Sequence, residues 1–213
     1  MPAENEISFT IPRKRPFKTV LQFKITLIGA EPPIWRRILV PGSYTFYDLH
    51  VAIQNAMGWT DSHLHAYEMQ GKHAARIESP YAVDEIHEKV KYFTPETMLT
   101  KFFDREGDSA VYVYDFGDGW RHEVLLEKIV PKKPAQKYPV CLAGQRACPP
   151  ENCGGIGGYA RCVKAVTGKV SPDMDEDFLN WLGDWNPTGF NKDDVVFESP
   201  RVRFLESFEE CGL

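Results

Sequence analysis

No stretch of the 213-residue chain approaches the ~18 consecutive apolar residues that a membrane-spanning helix requires. The opening, MPAENEISFTIPRKRPFK, lacks the basic-then-apolar pattern of a secretory signal. Together these absences lead to the expectation of a cytoplasmic protein with no membrane partner. No internal repeat is visible and no low-complexity segment exceeds a few residues, which sets aside repeat and compositionally biased architectures. No cysteine occurs before position 141, and the total of five is odd. In an intracellular protein such a set argues against a disulfide framework and for a metal site, a redox thiol or small buried residues. Charge of one sign is not in large excess: 25 Lys+Arg stand against 30 Asp+Glu, a net of −5. That balance excludes a uniformly basic nucleic-acid binder but not a local basic patch.

What is present is ordinary globular material, 43% hydrophobic and 26% charged. At roughly 150 residues per domain, one large domain is expected, long enough to bury a core without disulfides. Residues 1–17 are expected to be a mobile leader and 18–213 a single α+β domain. Charge is uneven within it. Residues 1–37 carry a net +4 and residues 171–213 a net −8, an asymmetry read mainly as a solvated terminus and a solvated acidic helix face.

Periodicity supplies the elements. Leu21, Phe23, Ile25 and Leu27 alternate with polar residues as in a strand, and Ile34–Val40 forms a second, stopped by Pro41-Gly42. Thr45 and Asp48 form an acidic capping box before the apolar stripe Phe46, Leu49, Ile53, Ala56 and Met57, with Gly58 as the stop. His63–Met69 reads as the next strand. This strand–strand–helix–strand order is that of a β-grasp-like start to a mixed sheet. Lys72–Lys91 is assigned a strand and a polar loop, and Thr94-Pro95-Glu96 opens a short helix to Phe103. Ser109–Phe116 and Trp120–Val130 follow as a hairpin turned by Gly117-Asp118-Gly119. Residues 131–157, with five prolines, four glycines and three cysteines, are expected to be an ordered irregular loop. C-terminal helices are expected over Tyr159–Val166, from Ser171 to Gly183, and after Asn191, interrupted at Pro200.

The motifs PPIWRRILVPG, TFYDLHVAIQNAMGW, HLHAYEM, YVYDFGDGWRHEV, ACPPENCGGIGGY and WLGDWNP, taken in order, resemble the plasmid pRiA4b ORF-three-like family. The resemblance spans roughly residues 18–197. It implies one α+β unit and an association with mobile elements, and no defined reaction. Two positions depart from the family pattern: Asn152 stands where members carry an acidic residue, and Trp185-Asn186-Pro187-Thr188 replaces a Phe-Asp-Pro-Glu string.

Several constellations bear chemistry. His63-x-His65 on a strand would put both imidazoles on one face with Tyr67 and Met69, able to chelate an ion. Cys148-Pro-Pro-Glu-Asn-Cys153 is a stiffened thiol pair at the long end of zinc-type spacing. Combined, His63, His65, Cys148 and Cys153 complete a closed tetrahedral Zn²⁺ site, with Cys141 and His122 as spare ligands. Asp115, Asp118, His122 and Glu123 gather carboxylates and an imidazole in one hairpin, a set suited to acid–base work or to holding a divalent ion. For the turn residues hairpin-turn chemistry is the favoured reading, with His122 the exception. Asp115-Phe116-Gly117 matches the kinase magnesium loop, but every supporting kinase motif is missing. The glycine run 154–158 before a helix could cradle an anion, without a Walker lysine. Trp35-Arg36-Arg37 and the basic leader could touch nucleic acid.

These readings favour a zinc-stabilised binding or adaptor module with an unidentified protein partner, nucleic acid being possible but not favoured. The alternative is a metal-dependent hydrolase, acting for example on nucleic acid, built on His63, His65, His122, Asp115 and Asp118. A thiol redox protein ranks last, because Cys148 and Cys153 lack the C-x-x-C spacing.

Overall fold

In the computed structural model, residues 15–71, 74–79, 92–169 and 174–210 are described. Alternation in β1 (Thr19–Leu27) buries Leu21, Phe23, Ile25 and Leu27, and β2 (Trp35–Pro41) pairs antiparallel beside it. The capping box forms as read. The Thr45 hydroxyl accepts from Asp48 N at 3.2 Å and the Asp48 carboxylate accepts from Thr45 N at 2.8 Å, opening α1 (Phe46–Met57). Gly58 closes it at φ +94°, a left-handed position that glycine occupies without strain. The stripe Phe46, Leu49, Ile53, Ala56 and Met57 is buried against the sheet, where Phe46 meets Tyr67, Phe102 and Phe103 edge-on or tilted.

The remaining strands are β3 (His65–Met69), β4 (Ala75–Glu78), β5 (Ser109–Tyr114), β6 (Trp120–Pro131) and β7 (Val140–Gln145). They order as β4-β3-β5-β6-β1-β2-β7, and every paired strand is antiparallel. The fold is α+β, but the expected mixed sheet is corrected to an antiparallel one: the consecutive strands that run in the same sense, β2 with β3 and β4 with β5, are not neighbours in the sheet. The strand–strand–helix–strand order is present. The β-grasp-like reading of it is not confirmed, because β3 pairs with β4 and β5, and β5 and β6 lie between it and β1.

The β5–β6 hairpin is where the sequence places it, with Ala110, Tyr112, Tyr114, Trp120, His122, Val124 and Leu126 all buried. Lys128, which period-two alternation from Trp120 would place on that same face, is exposed. A bulge explains it: Gln22 pairs with Lys128 and Phe23 with Leu126, so Glu127 is the extra residue and the parity reverses. Ile129 then packs against the core instead.

The stretch 131–157 is not irregular throughout. Its residues Val140–Gln145 form the edge strand β7 on β2, a pairing that the prolines around it conceal from a periodicity reading. Helix α2 (Gly155–Val166) begins four residues before the expected Tyr159. Asp175 caps α3 (Glu176–Leu182) by accepting from Phe178 N at 2.9 Å; the expected start at Ser171-Pro172 lies outside the described residues. Pro200, expected to interrupt a helix, instead begins α4 (Pro200–Glu210), where a missing N–H costs nothing. The segment 94–103 holds only a 3-10 turn, Leu99–Lys101. Residues 1–14 of the expected leader, most of Lys72–Lys91 and Cys211 lie outside the described residues. Among those described, no helix is long and apolar enough to cross a membrane.

Candidate functional site

At one end of the sheet the β5–β6 turn, the residues before β3 and the stretch 148–154 come together. Asp115 sits at φ +52°, and its Oδ1 accepts from Gly117 N at 2.9 Å and Asp118 N at 3.2 Å, the local pairing that lets aspartate hold a tight turn. Asp118 in turn accepts from Gly154 N at 3.0 Å. A Cβ at Gly155 would lie 2.5 Å from the Asp118 carbonyl oxygen, so only glycine permits this approach. On the other side, His63 Nε2 is 2.8 Å from Asn152 Oδ1 and 3.5 Å from Asp115 Oδ2. The Tyr114 hydroxyl donates to Glu151 at 2.7 Å and accepts from Ser62 N at 3.0 Å, while Thr60 donates to the same carboxylate at 3.0 Å. Trp59 Nε1 donates to the Pro149 carbonyl and Trp185 Nε1 to the Cys148 carbonyl, both at 3.0 Å. The early strand and the distant proline-stiffened stretch therefore do meet. The groups that join them are Glu151, Asn152 and backbone carbonyls.

The four residues read as zinc ligands have separate neighbours. His63 faces Asn152. His65 opens β3 with its ring stacked 3.5 Å from that of His50 and Nε2 3.3 Å from Thr94 Oγ1. Burial, and then the neighbouring His50, holds its pKa well below the usual histidine range. The Cys148 thiol is buried and pushed up by that burial, with the Arg36 guanidinium opposing. The Cys153 thiol donates to the Gly155 carbonyl at 3.9 Å, and the residue packs against the group around Cys162 on α2. Among the described residues, no group of three or more His, Cys, Asp or Glu side chains is placed to hold a metal ion.

The hairpin set is also dispersed. His122 is wholly buried beside Trp59 and Tyr112, and desolvation pushes its pKa down to about 3. Neither ring nitrogen has a well-formed hydrogen bond; only the Tyr112 backbone lies near enough to favour the proton slightly. Strand alternation sends Glu123 to the opposite, exposed face. Asp115 and Asp118 hold the turn and the start of α2. The basic reading of Trp35-Arg36-Arg37 is corrected in the same way. Arg36 is 2% exposed and donates to the carbonyls of Ala56 (2.7 Å), Trp35 (2.9 Å) and Gln145 (3.1 Å), its guanidinium 3.8 Å from the Phe190 ring centre. Arg37 makes a two-pronged pair with Glu127 at 2.6 and 2.7 Å. The glycine run serves packing: a Cβ at Gly158 would stand 1.6 Å from the Cys153 carbonyl oxygen.

Sequence reasoning missed a buried polar network behind His65. His50 Nδ1 lies 2.8 Å from the Tyr112 hydroxyl and its Nε2 2.6 Å from Asp61 Oδ1. Gln54 donates to the same hydroxyl at 2.9 Å, and Arg203 of α4 reaches Asp61 at 3.4 Å. The available sign was His50 and Gln54, one turn apart on the apolar face of α1, since buried polar groups require partners.

A cleft of about 620 Å³ lies at the other end of β6. Its apolar walls are Phe17, Tyr44, Tyr138 and Phe197, with Phe17 set edge-on to Tyr138 at 6.0 Å. Arg15, Lys132, Lys137 and Arg201 add four cations, and Lys132 Nζ stands 4.4 Å from the Phe17 ring centre. The two carboxylates present are engaged. Asp48 caps α1, and burial raises its pKa to about 6 against the lowering effect of its Thr45 hydrogen bonds. Glu198 pairs with Arg203. Charge available to a ligand in this cleft is therefore positive.

Comparison with known proteins matches residues 19–194 to the family described as plasmid pRiA4b ORF-3-like protein. The chain belongs to this family. An uncharacterized protein of Sinorhizobium fredii, y4hQ, is 31% identical over 165 residues, covering 78% of this chain and 81% of its own. A crystal structure of a protein of unknown function from Methanosarcina mazei Go1 shares 39% identity and a TM-score of 0.75, covering 86% of this chain and 100% of that one. The family match runs from β1 to the 3-10 turn Lys192–Asp194 and stops before α4, so the α4 side of the cleft lies beyond it.

Proposed function

We propose that the protein is a binding or adaptor module that takes an acidic, aromatic-bearing segment of a partner protein into the cleft beside Lys132 and Arg201. The observation that carries this reading is the cleft's lining: among the described residues, four cations without a free counter-charge around an aromatic wall, in a volume typical of ligand sites. Charge complementarity selects an acidic partner, and the rings supply a slot for a planar or apolar side chain. The cleft has room for a few side chains and not for a tract of phosphates, and the net charge of −5 opposes a polyanion. A protein segment is accordingly preferred to nucleic acid.

In this reading the loop around Cys148 and Cys153 is pinned by the Trp59, Trp185 and Tyr114 hydrogen bonds. A zinc ion on His63, His65, Cys148 and Cys153 would be a second way to pin it, requiring His65 to leave the His50 stack and His63 to leave Asn152. One equivalent of zinc in chelator-free protein, lost in Cys148→Ser and His65→Ala, would install that version; its absence would remove it. The metal-dependent hydrolase alternative has less support, because the groups it needs are sealed, spread over two faces or committed to turns.

Phage-displayed random peptides selected on the immobilised full chain provide the test. Enrichment of acidic sequences with aromatic positions is expected. Their binding should weaken as salt rises and fall at least tenfold in Lys132→Glu and Arg201→Glu. No enrichment, or binding indifferent to both substitutions, would overturn the proposal. Binding of single-stranded oligonucleotides in preference to peptides would do the same.

A further inference from the structure

Cys153 and Cys162 lie outside the cleft of that binding proposal, and their placement gives them a chemistry of their own. Cys153 ends the proline-stiffened stretch and is half-buried, reachable by a small solute. Cys162 is buried on α2 among Ala165, Met174 and Leu182, with Cys153, Phe178 and Trp185 packed against the same group. Cys153 packs against the group that holds Cys162, its thiol directed at the Gly155 carbonyl at 3.9 Å, and the two thiols lie near enough for their ionisation to be linked. Gly158 packs directly on the Cys153 carbonyl and keeps the loop against the helix that carries Cys162. The other described cysteines lack this arrangement: Cys148 is buried toward Arg36, and Cys141 points at the Ala143 carbonyl at 3.7 Å.

We propose that Cys153 and Cys162 are a peroxide-responsive dithiol, a modification site that closes to an intramolecular disulfide and ties the loop to α2. The thiolate of one cysteine attacks a peroxide oxygen; an S–O bond forms, the O–O bond breaks, and the departing hydroxide takes a proton to leave as water. The second sulfur then attacks the sulfenic acid. The S–S bond forms, the S–O bond breaks, and a second water leaves carrying the remaining thiol proton. Two sulfurs lose one electron each, and hydrogen peroxide accepts both. Closure brings the sulfurs to the ~2.05 Å of a disulfide.

The test treats the reduced full chain with stoichiometric hydrogen peroxide, blocks remaining thiols and maps tryptic peptides without reduction. The expected result is loss of two free thiols of the five, and a species joining the peptide that contains Cys153 to Cys162-Val163-Lys164, reversed by dithiothreitol. Fragmentation of that species should place the bond on Cys153 and not Cys148. Cys148→Ser should leave the disulfide intact, whereas Cys153→Ser, checked for native circular dichroism, should yield none. Retention of all five thiols, or a bond between Cys148 and Cys153, would overturn the proposal. So would a bond between two chains. The wild-type map decides the matter even if a variant fails to fold.

Discussion

Replacing His122 with leucine isolates the effect of an imidazole that the core has no means of charging. In the folded protein the ring titrates at about 3, whereas in the unfolded chain it titrates near the ordinary histidine value of 6.5. The unfolded state therefore binds a proton that the native state refuses throughout the interval between those values. Stability is whole above pH 6.5 and is lost as pH falls toward 3. At about 1.4 kcal/mol per pH unit, lowering pH from 7.5 to 5.0 removes about 2 kcal/mol through this residue. His65, also held below its usual range, acts in the same direction. Asp48, raised to about 6, acts in the opposite one. Both are present in wild type and variant and cancel in the comparison. His122→Leu conserves approximate volume and removes two unpartnered ring nitrogens, so a gain of about 1–3 kcal/mol is expected at pH 7.5. Urea unfolding followed by tryptophan fluorescence at both pH values supplies the numbers. The variant should lose about 2 kcal/mol less than wild type on acidification. Equal losses would mean that His122 is not sealed from protons, and the argument from burial would fail.

Three further substitutions probe other joints. Arg36→Ala strips partners from the carbonyls of Ala56, Trp35 and Gln145 and empties the space under Phe190. A loss of about 3 kcal/mol or more in urea is expected, and a change below 1 would contradict a structural role. Thr45→Ala removes half of the capping box of α1 and should cost about 1 kcal/mol by the same assay. Gly158→Ala forces a methyl into the Cys153 carbonyl. Thermal unfolding should move clearly downward and the Cys153 thiol should react faster with a maleimide; an unchanged rate would show that the loop does not rest on the helix there.

The sequence alone determined the local elements whose cause is local. Thr45, Asp48 and Gly58 bound α1 because capping acts within one helical turn. Alternation in Thr19–Leu27 and Ser109–Tyr114 yields strands, and the Gly117-Asp118-Gly119 turn joins β5 to β6, because period-two burial and tight-turn geometry need no distant partner. The family, too, was legible in the order of its motifs. Tertiary structure decided everything that depends on which side of an element faces which neighbour. The bulge opposite Gln22 reversed the parity of Lys128 and Ile129, and pairing with β2 made a strand of Val140–Gln145. His63 and His65, two residues apart, ended in different surroundings because β3 begins only at His65. Arg36 looked like a surface cation and is a buried tie; Cys148 and Cys153 looked like a pair, and it is Cys162 that Cys153 meets. The cleft draws its rings from residues 17, 44, 138 and 197 and its cations from equally distant positions. Proximity across such separations is made by packing, and nothing in a local spacing encodes it.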